Sequence, residues 1–114
     1  MQMKSLKESV LATSEYKRGM CHIMYGRVKI SATPAPSFSF DSEASWPAES
    51  YEGAVRRGVI DGLAEAGMGS EFGAKFVLEE IDWHEVNSCE SGYYHAAKQA
   101  TGEILRLGNI IGRS

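Results

Sequence analysis

The chain has 114 residues, 43% of them hydrophobic and 24% charged, a mixture that suits one globular domain with its own core and excludes an intrinsically disordered chain. A formal net charge of -3 excludes a domain held to nucleic acid by bulk charge alone. Cys21 and Cys89 form no CxxC pair and no apolar run approaches the roughly 20 residues that span a bilayer, so neither a disulfide framework nor a membrane span is expected.

The stretch from Met1 to Val10 mixes charges with small residues and has no apolar signal core, so a cytoplasmic protein is the expectation. Charge is unevenly placed. Residues 1 to 30 carry six Lys or Arg against two acids, while the remainder carries six basic and thirteen acidic residues. The N-terminal third is locally cationic.

From Ser5 to Ser14 the alternation is imperfect, and Val10, Ala12 and Thr13 suit a strand. Lys17-Arg18-Gly19 reads as a turn, because glycine reaches positive φ at little cost. Ile23 to Ala32 has a clear period of two. Ile23, Tyr25, Arg27, Lys29 and Ser31 share one face, and Met24, Gly26, Val28, Ile30 and Ala32 share the apolar one. Pro34 and Pro36 then interrupt the ladder. Phe38 and Phe40 alternate with serine as a short third strand, and Asp41 to Ser50 reads as a polar loop that Trp46-Pro47 closes.

From Tyr51 the period becomes helical. Ala54, Val55, Val59, Leu63 and Ala66 or Gly67 form the inner stripe, and Arg56, Arg57, Asp61 and Glu65 face outward. Gly53, Gly58 and Gly62 each cost about 1 kcal/mol relative to alanine, which close packing against a sheet would offset. Ala74 to Trp83 is the next strand, with Phe76, Leu78 and Glu80 alternating with Val77, Glu79 and Ile81. Asn87 reads as an N-cap, with Glu90 completing a capping box. The helix that follows runs to Leu107 on a stripe of Tyr93, Ala96, Ala97, Ala100, Ile104 and Leu107. Gly108 stops it, and the tail from Asn109 to Ser114 is expected to fray.

The order is strand, strand, strand, helix, strand, helix. An α+β two-layer sandwich, a four-stranded sheet with both helices on one face, buries every stripe.

Three segments in order resemble domain IV of the translocation GTPase elongation factor G. They are Tyr25-Gly26-Arg27-Val28-Lys29-Ile30, the run from Trp46 to Leu63, and Trp83-His84-Glu85-Val86-Asn87-Ser88-Cys89-Glu90 with Tyr93, Tyr94, Ala96 and Ala97. The resemblance covers about residues 8 to 107 of a single domain spanning 1 to 114. It implies a ribosomal-protein-like fold with a left-handed βαβ crossover, an exception to the usual handedness. It also implies a non-catalytic translation-factor-like module that reaches the decoding site through two tip loops. By position these loops are Gly19 to Met24 and Asp82 to Asn87. The RNA- or partner-binding residues carried over, with the cations that flank the first loop, are Lys17, Arg18, Gly19, His22, Trp83, His84, Glu85 and Asn87. No Gly-x-x-x-x-Gly-Lys-Ser/Thr loop occurs in the chain, so it is expected neither to bind nucleotide nor to act as an enzyme.

Other readings of the same residues are structural. Trp46 and Trp83 suit either base stacking or closing the ends of a core. Cys89 at a helix start suits either a reactive thiolate or an inert, partly buried side chain. His22, His84 and His95 lack metal-ligand spacing, and no metal or other cofactor is expected. The first loop, Gly19-Met20-Cys21-His22-Ile23-Met24, is short and mostly apolar, which supports an alternative function: a protein-interaction or self-associating domain that has lost RNA binding.

Overall fold

A computed structural model describes residues 3–19, 23–69 and 71–113. The chain forms β1 (Met3–Leu6), β2 (Val10–Arg18), β3 (Met24–Pro34), β4 (Ser39–Ser42), α1 (Glu52–Glu65), β5 (Ala74–Asp82), α2 (Glu90–Leu107) and β6 (Ile110–Arg113). Among the described residues no helix is long and apolar enough to cross a membrane.

β2 and β3 form an antiparallel hairpin from Val10 opposite Ala32 to Arg18 opposite Met24. β3 pairs antiparallel with β5, and β5 parallel with β4, giving the sheet order β2-β3-β5-β4. The parallel pair is joined through α1. Both helices cover one face. Val28, Ile30 and Ala32 of β3, Phe76 and Leu78 of β5, Val55, Val59 and Leu63 of α1, and Tyr93, Ala97, Ala100 and Ile104 of α2 belong to one buried cluster. This is the expected α+β sandwich, and the two faces of β3 divide as its alternation predicts.

β5 departs from simple alternation. Ile30 opposes Leu78 while Lys29 opposes Glu80, so Glu79 is an extra residue, a β-bulge. The bulge turns Ile81 to the helix side, opposite Val28, and leaves Glu80 on the open face beside Lys29.

The glycines of α1 serve the other helix rather than the sheet. A Cβ at Gly58 would run into the Tyr94 carbonyl oxygen and lie 2.8 Å from the Ala97 Cβ; one at Gly62 would lie 2.9 Å from the Thr101 Cβ. Gly53 faces open space. α1 and α2 therefore approach backbone to backbone. Along the outer seam Arg57 binds Glu90 (2.6 Å), Tyr94 binds Asp61 (2.5 Å) and Lys98 binds Glu65. Each step advances both helices one turn, so they run parallel.

Both helical stripes differ at their ends from the sequence reading. The α1 stripe stops at Leu63, and Ala66 and Gly67 are exposed. In α2 the stripe drifts along Ala97, Thr101 and Leu105, all buried, and leaves Leu107 48% exposed. Steps of four residues rotate the apolar face, because four residues exceed one turn.

From Asn109 to Arg113 the tail is paired rather than frayed. Gly108 donates its N–H to Ile104 O (2.8 Å), Asn109 turns the chain at φ 55, and β6 pairs antiparallel with β1. Lys7 N–H donates to Asn109 O (2.8 Å) and Leu6 N–H to Gly73 O (3.1 Å), fixing this ribbon at the end where β5 begins. The stretch from Ser5 to Ser14 is thus divided between β1 and β2, separated at Lys7 to Ser9.

Candidate nucleic-acid interface

Because β3 and β5 are antiparallel, the start of one and the end of the other lie at the same extremity, where Arg27 opposes Asp82. Beyond that pair the chain stays in contact. Tyr25 N–H donates to Asn87 O (2.9 Å), and Cys89 N–H donates to Tyr25 O (3.3 Å). The start of β3 and the turn from Trp83 to Ser88 are therefore tied through Tyr25, a residue that motif reading does not single out for this task.

The turn is held by its own network. Asn87 N–H donates to His84 Nδ1 (3.1 Å), and His84 N–H donates to Ser88 Oγ (2.7 Å). Tyr93 OH donates to Asp82 O (2.6 Å) and lies 3.0 Å from Ser88 Oγ, which leaves the serine proton for the tyrosine oxygen. An accepting Nδ1 places the neutral imidazole proton on Nε2. The exposed His84 ring, 6.1 Å from the Tyr25 ring, thus presents a donor outward.

Asn87 is not the N-cap. Cys89 caps α2 in extended conformation without a side-chain bond, and the helix begins at Glu90. The reason is local: the Asn87 backbone and the Ser88 hydroxyl are already committed to Tyr25, His84 and Tyr93. Tyr93 is fully buried, and burial pushes its phenol up to about 12. Burial, then the charges of Glu15 and Asp82, also raises the Tyr25 phenol.

The carboxylates around His84 are largely neutralised. Asp82 pairs with Arg27 (2.6 Å) and Glu90 with Arg57 (2.6 Å). Glu85 is exposed and has no ion-pair partner among the described residues. Lys17 and Arg18 are also exposed and free of ion pairs there, and they are the last residues of β2 rather than part of a turn. The turn begins at Gly19, whose φ of 128 uses the freedom expected of it. His22 and Cys21 lie outside the described residues.

Trp83 is drawn inward. It stacks on Tyr51 (5.9 Å) and Tyr93 (6.2 Å), with Trp46 edge-on at 6.3 Å. The structure therefore places Trp83 in an aromatic cluster beneath the turn and leaves His84, Glu85 and Val86 exposed above it. Val86, 85% exposed, is the apolar member of that group and has no counterpart in the expected contact set.

No family model matches the chain, and no curated protein matches it. Solved structures do. A crystal structure of a Thermus thermophilus protein, described by a target designation alone, superposes with a TM-score of 0.86 at 20% identity. The match covers 97% of this chain and 18% of that one. The chain therefore spans less than a fifth of the matched protein's length, and what the two share is the fold.

Proposed function

We propose that the end formed by the β2–β3 loop and the Trp83–Ser88 turn is a non-catalytic surface for structured RNA, and that the chain works in contact with the ribosome. The observation that carries this reading is the Tyr25–Asn87 backbone bond, which brings Lys17 and Arg18, free of ion pairs among the described residues, to the end that presents His84 Nε2–H. Lysine and arginine neutralise phosphates, and an outward imidazole N–H donates to a phosphate or a base edge. The resemblance to elongation factor G domain IV supplies the ribosome as the partner class, and the 20% identity to a solved structure supports the fold alone.

A surface with few cations on an acidic chain binds weakly and with modest salt dependence. Two phosphate contacts imply a loss of about tenfold in affinity between about 50 and about 200 mM salt. Co-sedimentation with small ribosomal subunits across that range tests this. Binding that weakens with salt and is lost when Lys17 and Arg18 are both replaced by alanine supports the proposal; no binding at the lowest salt removes it.

Val86 favours a second reading, in which the same end meets a protein. Val86→Asp separates the two. It abolishes an apolar protein contact and leaves a phosphate contact reduced but present.

A further inference from the structure

The two edges of the four-stranded sheet are built differently. β4 is four residues long, follows Pro34 and Pro36 and carries Asp41, so it is a guarded edge. β2 is nine residues long, contains no proline and pairs with β3 without a register shift. No described strand pairs with its outer side.

Which groups face outward follows from Tyr25. Its N–H and C=O are taken by Asn87 and Cys89, on the side of β3 away from β2. Lys17, opposite Tyr25, therefore sits in a non-hydrogen-bonded pair, and its own N–H and C=O point out of the sheet edge. By the period of two the same holds for Glu15, Thr13 and Leu11. Their side chains lie on the face without helices, where Leu11 is 56% exposed.

We infer that this edge receives the same edge of a second copy of the chain, antiparallel, about a two-fold axis through Ser14 perpendicular to the sheet. Such an axis opposes outward-facing residues to outward-facing residues. Centred on Ser14, Thr13 faces the partner's Glu15 and Leu11 faces the partner's Lys17, so every outward N–H and C=O of β2 is bonded. Moving the axis to Ala12 or Tyr16 leaves about half of them unbonded. An axis at Glu15 sets two carboxylates face to face, and one at Thr13 leaves Lys17 outside the ladder. The Tyr16 register would pair Glu15 with lysine twice, yet exposed ion pairs contribute less than the backbone bonds it forgoes.

The Ser14 register is also complementary in its side chains. Each Thr13 hydroxyl can donate to a facing carboxylate, and the methylenes of each Lys17 cover an exposed leucine. No like charges stand directly opposite. The product is one double-width sheet with all helices on one face and the two His84 turns at opposite ends; Lys17 belongs both to this edge and to the proposed RNA surface.

An interface of this kind is small, so weak association is expected, with a dissociation constant between about 1 µM and about 1 mM. Sedimentation of the full chain across that range is expected to show monomer passing to dimer. Thr13→Pro removes an N–H that the monomer does not use, so the fold persists by circular dichroism and the dimer is lost. Amide exchange in the unmodified protein supplies a readout independent of any variant. Thr13 and Glu15 amides become protected as concentration rises, while Ala12 and Ser14 amides, bonded to β3, are protected throughout. A monomeric mass at every concentration, a dimer that survives Thr13→Pro, or Thr13 and Glu15 exchange indifferent to concentration overturns the inference.

Discussion

The Tyr93 hydroxyl lies between the end of β5 and the start of α2, bonded to Asp82 O and to the Ser88 hydroxyl. Its phenol is raised by burial from 10.0 to about 12, so the folded protein holds this proton more tightly than the unfolded chain does. The sign follows directly. The contribution is fully present below about pH 10 and is lost as pH rises from about 10 to about 12. At about pH 11 the loss from this group is roughly 1.4 kcal/mol relative to neutral pH. Denaturant unfolding of wild type and Tyr93→Phe at neutral pH and at about pH 11 checks it: the wild type loses more stability between the two conditions, by about that amount. The same hydroxyl holds the turn that carries His84, so a stability measurement at one buried residue reports on the geometry of an exposed one.

At the scale of elements, the passage of β3 under α2 is closed by two glycines. A Cβ at Gly26 would overlap the backbone of Gly92, and a Cβ at Gly92 would overlap the Tyr25 carbonyl. Neither neighbour is a side-chain end that can swing away. Gly26→Ala is therefore expected to cost about 3 kcal/mol or more, at the upper end of overpacking effects, read as a fall in the denaturant midpoint. By contrast Gly53→Ala, which meets open space, gains helix propensity and is expected to stabilise by up to about 1 kcal/mol. These partners show how far the sequence is legible. Alternation in β3 and the helical stripes are local signals, and they predict the sandwich. The glycine contacts, the bulge at Glu79 and the β1–β6 ribbon depend on residues distant in sequence, which no local period encodes. The site divides in the same way. Lys17, Arg18, Gly19 and His84 stand at the end that the motif implies, whereas the roles of Tyr25, Ser88 and Tyr93 rest on hydrogen bonds that spacing does not reveal. Asn87 misleads because a residue suited to capping is spent on an earlier turn.

The whole molecule is elongated, 49 × 26 × 20 Å, with the β1–β6 ribbon at the end where β5 begins and the Tyr25–His84 contact at the end where it finishes. A net charge of -3 gives such a body no general attraction for RNA. Lys17 and Arg18, free of ion pairs among the described residues, stand beside a turn flanked by Asp82 and Glu90, which arginines hold, and carrying the unpaired Glu85; Lys4, Lys7, Arg56 and Lys75 are exposed and free of ion pairs there as well. The proposed function makes binding polar in the geometric sense: the His84 extremity is expected to engage and the opposite ribbon to stay clear. Resonance-resolved titration of the labelled protein with a structured fragment of small-subunit ribosomal RNA examines that claim most directly. The account predicts amide shifts confined to Lys17, Arg18, Gly19, Tyr25 and the segment from His84 to Ser88. Shifts centred on α1 or on the β1–β6 ribbon, or none at any RNA concentration in low salt, would contradict it.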